Sequence, residues 1–152
     1  MDPLSITASI LTVLATAGAV LKELEHLRSR MNPDAEFLTL MNSVTDLQAT
    51  LIIVRDCADT LKNSKAPAAQ QSYRDLPYAI DKVQAPLDRL VDFIRGSLLR
   101  KGNRKSRLSL SESKKRKLSE LRGSVSEAHQ HLQLILLSAN LLRDTYLYCF
   151  LI

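Results

Sequence analysis

An all-α fold, a four-helix bundle of up-and-down helices, is what this sequence predicts, and three observations carry it. The segments around Phe37–Leu61, Leu76–Ile94 and Leu118–Tyr146 place apolar residues at alternating spacings of three and four, the signature of a helix buried along one seam. Only four Gly and five Pro occur, Trp is absent and aromatics make up 5%, which disfavours the turn-rich, aromatic composition of sandwiches and barrels. Finally, 152 residues with 45% hydrophobic and 24% charged content suit one domain with one core, here residues 1–152.

The first helix opens at Asp2-Pro3, an acid suited to the N-cap followed by a proline at the first helical position. No charge occurs from Pro3 to Leu21, and Leu4, Ile6, Ile10, Leu11, Val13, Leu14, Val20 and Leu21 cover nearly every face. A helix apolar all round lies at the centre of a core or in a membrane. At 1.5 Å per residue this stretch spans about 28 Å, the thickness of a bilayer core. Ser5, Thr7, Ser9, Thr12, Thr16 and Gly18 dilute its apolarity, which makes insertion marginal. After Lys22 the helix becomes amphipathic through Leu24 and Leu27, and Asn32-Pro33 ends it.

The second helix begins near Asp34 and carries the seam Phe37, Leu40, Val44, Leu47, Leu51, Val54, Ala58 and Leu61. Lys62–Asp75 is polar and contains proline, and reads as a connection. A third helix follows with Leu76, Ile80, Val83, Leu87, Leu90 and Ile94. Pro86 falls inside it and is expected to kink or interrupt it, because it donates no backbone hydrogen bond. Residues 100–117 read as a basic, flexible loop, closing in a capping-box pattern at Ser109–Glu112 for which neighbouring serines compete. The fourth helix carries Leu118, Leu121, Val125, Ala128, Leu132, Ile135, Ala139, Leu142 and Tyr146, with Leu134, Leu136 and Leu137 widening the stripe. Its second half is therefore expected to be the more deeply buried. An apolar terminus, Tyr146–Ile152, ends the chain.

Catalytic chemistry needs groups that converge, and none is evident here. His129 and His131 are two positions apart, so on a helix they point in roughly opposite directions and cannot share a metal. With His26 they read as solvated or rim histidines. No Gly-rich phosphate loop, Gly-x-Ser-x-Gly or Cys-x-x-Cys occurs. The expectation is a non-enzyme without cofactor, metal or small-molecule substrate. Cys57 and Cys149 are too few for a disulfide framework, and Cys57 reads as a buried free thiol. Neither a basic secretory start nor a glycosylation sequon is present, which points to an intracellular, cytoplasmic chain with membrane association or nuclear import as options.

The net charge of +5 is concentrated in one place. Arg100, Lys101, Arg104, Lys105, Arg107, Lys114, Lys115, Arg116 and Lys117 stand against the single acid Glu112. Such a run is compatible with a solvated loop, with docking on an anionic membrane at about 1 kcal/mol per residue, or with nuclear import. No aromatic residue lies between Arg95 and Arg122 to stack on bases, which weighs against nucleic acid as a partner. Phosphorylation of Ser106, Ser109, Ser111 or Ser113 would weaken any such docking.

The opening Met1-Asp-Pro-Leu-Ser-Ile-Thr-Ala-Ser-Ile-Leu11 resembles the start of the HeLo-like N-terminal domains of fungal NOD-like (STAND) receptors, a domain also named for azaphilone pigment cluster protein L. The similarity continues through Leu38–Leu51, Pro86–Val91 and the last helix with His129 and Leu134–Leu142, covering Met1 to Arg143. Its specificity lies in the first eleven residues. The resemblance implies a bundle whose apolar first helix can be released toward membranes in cell-death signalling. The receptors carry a nucleotide-binding or repeat region after this domain, and this sequence does not. A stand-alone role then implies a protein partner or another trigger, or an accessory role in a secondary-metabolite cluster; an oligomeric protein–protein adaptor, with a protein partner or a homo-oligomer, is the further alternative.

Overall fold

Asp34 starts a helix by accepting the Phe37 amide on its carboxylate at 2.9 Å, the N-cap geometry that the polar residue before an apolar seam favours. In the computed structural model this is the second of four helices: α1 (Pro3–Arg28), α2 (Ala35–Asn63), α3 (Pro67–Phe93) and α4 (Glu112–Leu151). The structure describes residues 3–30, 34–99 and 111–151, with side chains described for 6–30, 34–96 and 111–139. No strand occurs among them. The fold is an all-α four-helix bundle.

The three seams read from the sequence are the core. Every named seam residue of α2 and α3 is buried, Ile94 included, as are those of α4 from Leu118 to Ala139; Leu142 and Tyr146 lie outside the described side chains. The first helix has a seam of its own, Ile6, Ile10, Val13, Ala17, Val20, Leu24 and Leu27, again spaced four and three. It is therefore packed on one side rather than surrounded. Leu14 and Leu21 are half-buried against the core, and Leu11 is 49% exposed.

Side-chain pairs set the directions. Ser72 reaches the Ile135 carbonyl at 3.4 Å and the Tyr78 ring meets His131, so α3 and α4 run antiparallel. Gln84 meets Thr16 and Arg95 meets Glu23, so α1 and α3 run parallel. Arg122 meets Glu36, and Thr50 meets His129, so α2 and α4 also run parallel. Helix direction alternates along the chain, but the order around the bundle is α1, α2, α4, α3. The short link Ser64–Ala66 thus carries the chain across the diagonal. Among the described residues α1 and α4 do not pack on each other.

Several expectations are corrected. Lys62–Asp75 is not a connection: α2 runs to Asn63 and α3 starts at Pro67, where proline suits a first helical position. Ala69 and Ser72 extend the α3 seam into this segment, but their small side chains leave little hydrophobic signal. Pro86 does not interrupt α3, which passes through both Pro77 and Pro86 as one helix. Each proline removes one ladder bond, and the buried seam on either side keeps the helix continuous. α3 then opens into a π-helical turn, Ile94–Leu99. Residues 112–117 are not loop but the first turns of α4, and Ser111 caps them by accepting the Lys114 amide at 3.4 Å. The remaining loop positions 100–110 and Ser109 lie outside the described residues. Leu134 and Leu137 are not deeply buried but 63% and 53% exposed, with Leu136 half-buried. The α4 seam is already complete without them. Cys57 is half-buried rather than buried, because it sits beside the seam residue Ala58 and not on it; the side chain of Cys149 lies outside the described residues.

Candidate functional site

Three surfaces carry the residues that could act on a partner. The first is the outward side of α1. Because the seam takes Ile6, Ile10, Val13, Ala17 and Val20 inward, the surface is left to Thr7, Ala8, Leu11, Thr12 and Ala15. No charged residue occurs from Pro3 to Leu21. The Thr12 hydroxyl donates to the Ala8 carbonyl at 2.9 Å, and the Thr16 hydroxyl to the Thr12 carbonyl at 3.0 Å. These hydroxyls are satisfied within the helix, which lowers the cost of moving that surface out of water. Of the predicted residues, Ile6, Ile10, Val13 and Val20 belong to the core, Leu14 and Leu21 to its edge, and Leu11 to the surface; the Leu4 side chain is outside the described set.

By length and composition both α1 and α2 are apolar enough to cross a membrane. In the bundle 28% of the α1 stretch is buried, against 44% for α2. α2 also exposes Leu38, Ile52 and Ile53. Sequence reasoning passed over these last two, although the run Leu51-Ile-Ile-Val54 was a visible signal that one face could not hold them all.

The second surface is the basic start of α4. Lys115 lies 3.9 Å from Asp34 and 3.8 Å from Glu112, and Lys117 lies 4.0 Å from Glu120. Arg122 reaches Glu36 at 3.4 Å. These pairs are solvent-facing and each contributes little to stability. They partly neutralise Lys114–Lys117, while Arg116 is exposed. The structure places this cluster at the bundle end where α2 begins. Arg100, Lys101, Arg104, Lys105 and Arg107 lie outside the described residues.

The third surface is a groove of about 510 Å³ between α3 and α4. Lys82, Pro86 and Arg89 line one wall; Ser124, Glu127 and His131 line the other. Lys82 sits 4.6 Å from the centroid of the Tyr78 ring, and its ammonium is held above the usual lysine range by Tyr78 first and then by Glu127. Sequence reasoning missed this groove, since only the antiparallel register brings these two faces together.

The histidines divide as their spacing requires. His129 turns inward, its Nε2 and the Thr50 Oγ1 sharing a hydrogen bond of 2.7 Å. Burial pushes its pKa below the ordinary histidine value, against a smaller opposing pull from Asp46. It is therefore a partnered interface residue rather than a solvated one. His131 faces the groove, edge-on to Tyr78 at 6.2 Å. Among the described residues no three His, Cys, Asp or Glu side chains gather as a metal site.

No family model matches this sequence, and no curated protein or solved structure shows a significant similarity to it.

Proposed function

We propose that the chain is a non-enzymatic, membrane-responsive helical module of the fungal HeLo-like kind, acting through α1. The observation that carries this reading is the uncharged outward surface of α1 from Thr7 to Ala15, with Leu11 at its centre and the Thr12 hydroxyl bonded back to the helix. A helix at the corner of a water-soluble bundle ordinarily carries charge on that side. The net charge of +5 supplies long-range attraction to an anionic surface.

Co-sedimentation with neutral and anionic vesicles at low and high salt tests the proposal. Binding to anionic vesicles that weakens with salt is expected. Leu11→Lys should weaken it, since burying the leucine in the lipid contributes about 1.5–3 kcal/mol, more than the roughly 1 kcal/mol that an added cation gains at an anionic surface. Leu11 is half exposed, so the thermal midpoint should stay within the small range of surface substitutions. Vesicle binding by Leu11→Lys equal to that of the parent would overturn the assignment to α1.

A further inference from the structure

We infer that the α3–α4 groove is a binding site for a small amphipathic oxyanion, a phosphate or carboxylate group on an apolar body. This site is on the opposite side of the bundle from the α1–α2 pair and does not depend on the membrane reading.

The argument begins with register. Antiparallel packing puts Arg89 and Ser124 at one end of the groove, Lys82 and Glu127 along its middle, and Leu134 toward the Tyr78 end. Charge follows the same axis. Lys82 faces Glu127 and stands over the Tyr78 ring, so its charge is balanced locally. Among the described residues Arg89 has no acid within ion-pair distance. The carboxylate of its neighbour Asp88 is held by Gln84 at 2.7 Å. One groove end therefore offers an uncommitted guanidinium, the side chain best shaped for two-point recognition of an oxyanion. Beside it the Ser124 hydroxyl rests on the Glu120 carbonyl at 3.2 Å, a bond it can exchange for a ligand oxygen.

The rest of the groove combines the polar Gln130 and His131 with an apolar strip. Ala85, Pro86 and Ala128 form a wall of small side chains. Toward the far end, Leu134 is 63% exposed and Tyr78 is 59% exposed, large apolar surfaces that the core does not use. From Arg89 to Tyr78 is eleven residues, about 16 Å along the helix. A volume near 510 Å³ falls within the roughly 300–1,000 Å³ of small-molecule sites. An oxyanion at Arg89 with its apolar body lying toward Leu134 satisfies both ends at once.

The test is titration calorimetry of the full chain with n-octyl phosphate below its micelle-forming concentration, with inorganic phosphate, and with phosphatidate vesicles beside phosphatidylcholine vesicles. Octyl phosphate should bind saturably and inorganic phosphate much more weakly. Arg89→Ala should weaken octyl phosphate binding about tenfold or more, the loss of one charge-assisted contact. Ala85→Leu, which fills the wall, should abolish it. Both positions are exposed, so folding is preserved and circular dichroism confirms it. Phosphatidate vesicle binding weakened in the same variants would assign the oxyanion to a lipid headgroup. Octyl phosphate binding without such vesicle binding would assign it to a free amphiphile. Equal affinity for inorganic phosphate, or unchanged octyl phosphate binding in both variants, would overturn the inference.

Discussion

At the scale of single residues, the Thr50–His129 contact ties a titratable side chain to the edge of the core. Thr50 lies beside the seam residue Leu51 and is itself buried, and His129 follows the seam residue Ala128. Burial disfavours the imidazolium, so the folded-state pKa lies below the ordinary value of 6.5. Between those two values the unfolded chain binds more protons than the folded one, and stability rises with pH. The contribution is complete above pH 6.5 and is lost as pH falls through 6.5 toward the folded-state value. Urea midpoints measured from about pH 8 down to pH 5 should therefore decline, and His129→Leu should flatten that part of the decline. An identical slope in parent and variant would mean that His129 titrates alike in both states. That His129 would turn inward was not legible in the sequence. Its partner is 79 positions away, and only the parallel register of α2 and α4 brings the two together.

At the scale of elements, the seams were legible because helices bury one face, and regular spacing of large side chains records that face. The reading failed where that record is weak or crowded. α1 has as regular a seam as the others, but up to Leu21 its surface side is also uncharged, so the pattern there was hidden by its neighbours. The N-terminal half of α3 buries Ala69 and Ser72, which count for little in any hydropathy pattern, and its polar surroundings imitate a loop. In α4 the run Leu132–Leu137 contains more leucine and isoleucine than one seam can hold. The structure divides that run sharply, with Leu132 fully buried and Leu134 63% exposed. Leu132→Ala should accordingly destabilise the bundle by about 2–5 kcal/mol, the usual cost of a core truncation. Leu134→Ala should stay within about 0.5 kcal/mol. Chemical denaturation of the two variants measures this directly, and similar losses for both would show that Leu134 packs inside in solution. Of the candidate surfaces, the basic run and the α1 stretch were visible as composition. The α3–α4 groove was not, because it arises from two faces that only tertiary packing unites.

For the molecule as a whole, the order α1, α2, α4, α3 decides what membrane engagement must involve. α1 lies against both α2 and α3 and contributes Ile6, Ile10, Val13, Val20, Leu24 and Leu27 to the core. At about 1.5–3 kcal/mol for each fully buried side chain, detaching it forfeits on the order of 10 kcal/mol. That is comparable with the entire stability of a typical domain, about 5–15 kcal/mol. α1 therefore cannot swing out of an otherwise intact bundle. Either its outward surface lies on the membrane with the bundle closed, or its insertion opens the α2 and α3 seams together. Hydrogen exchange on vesicle-bound protein separates the two. If α1 inserts, amides around Val44–Val54 and Val83–Leu90 should lose protection while circular dichroism still reports helix. If it only docks, those amides should stay protected and protection should rise across Thr7–Ala15 alone. The uncharged, internally bonded surface of α1 needs no opening to meet lipid, so the expected outcome on vesicles without a further trigger is docking. Loss of core protection under those conditions would show that lipid alone supplies the free energy that holds α1 in place.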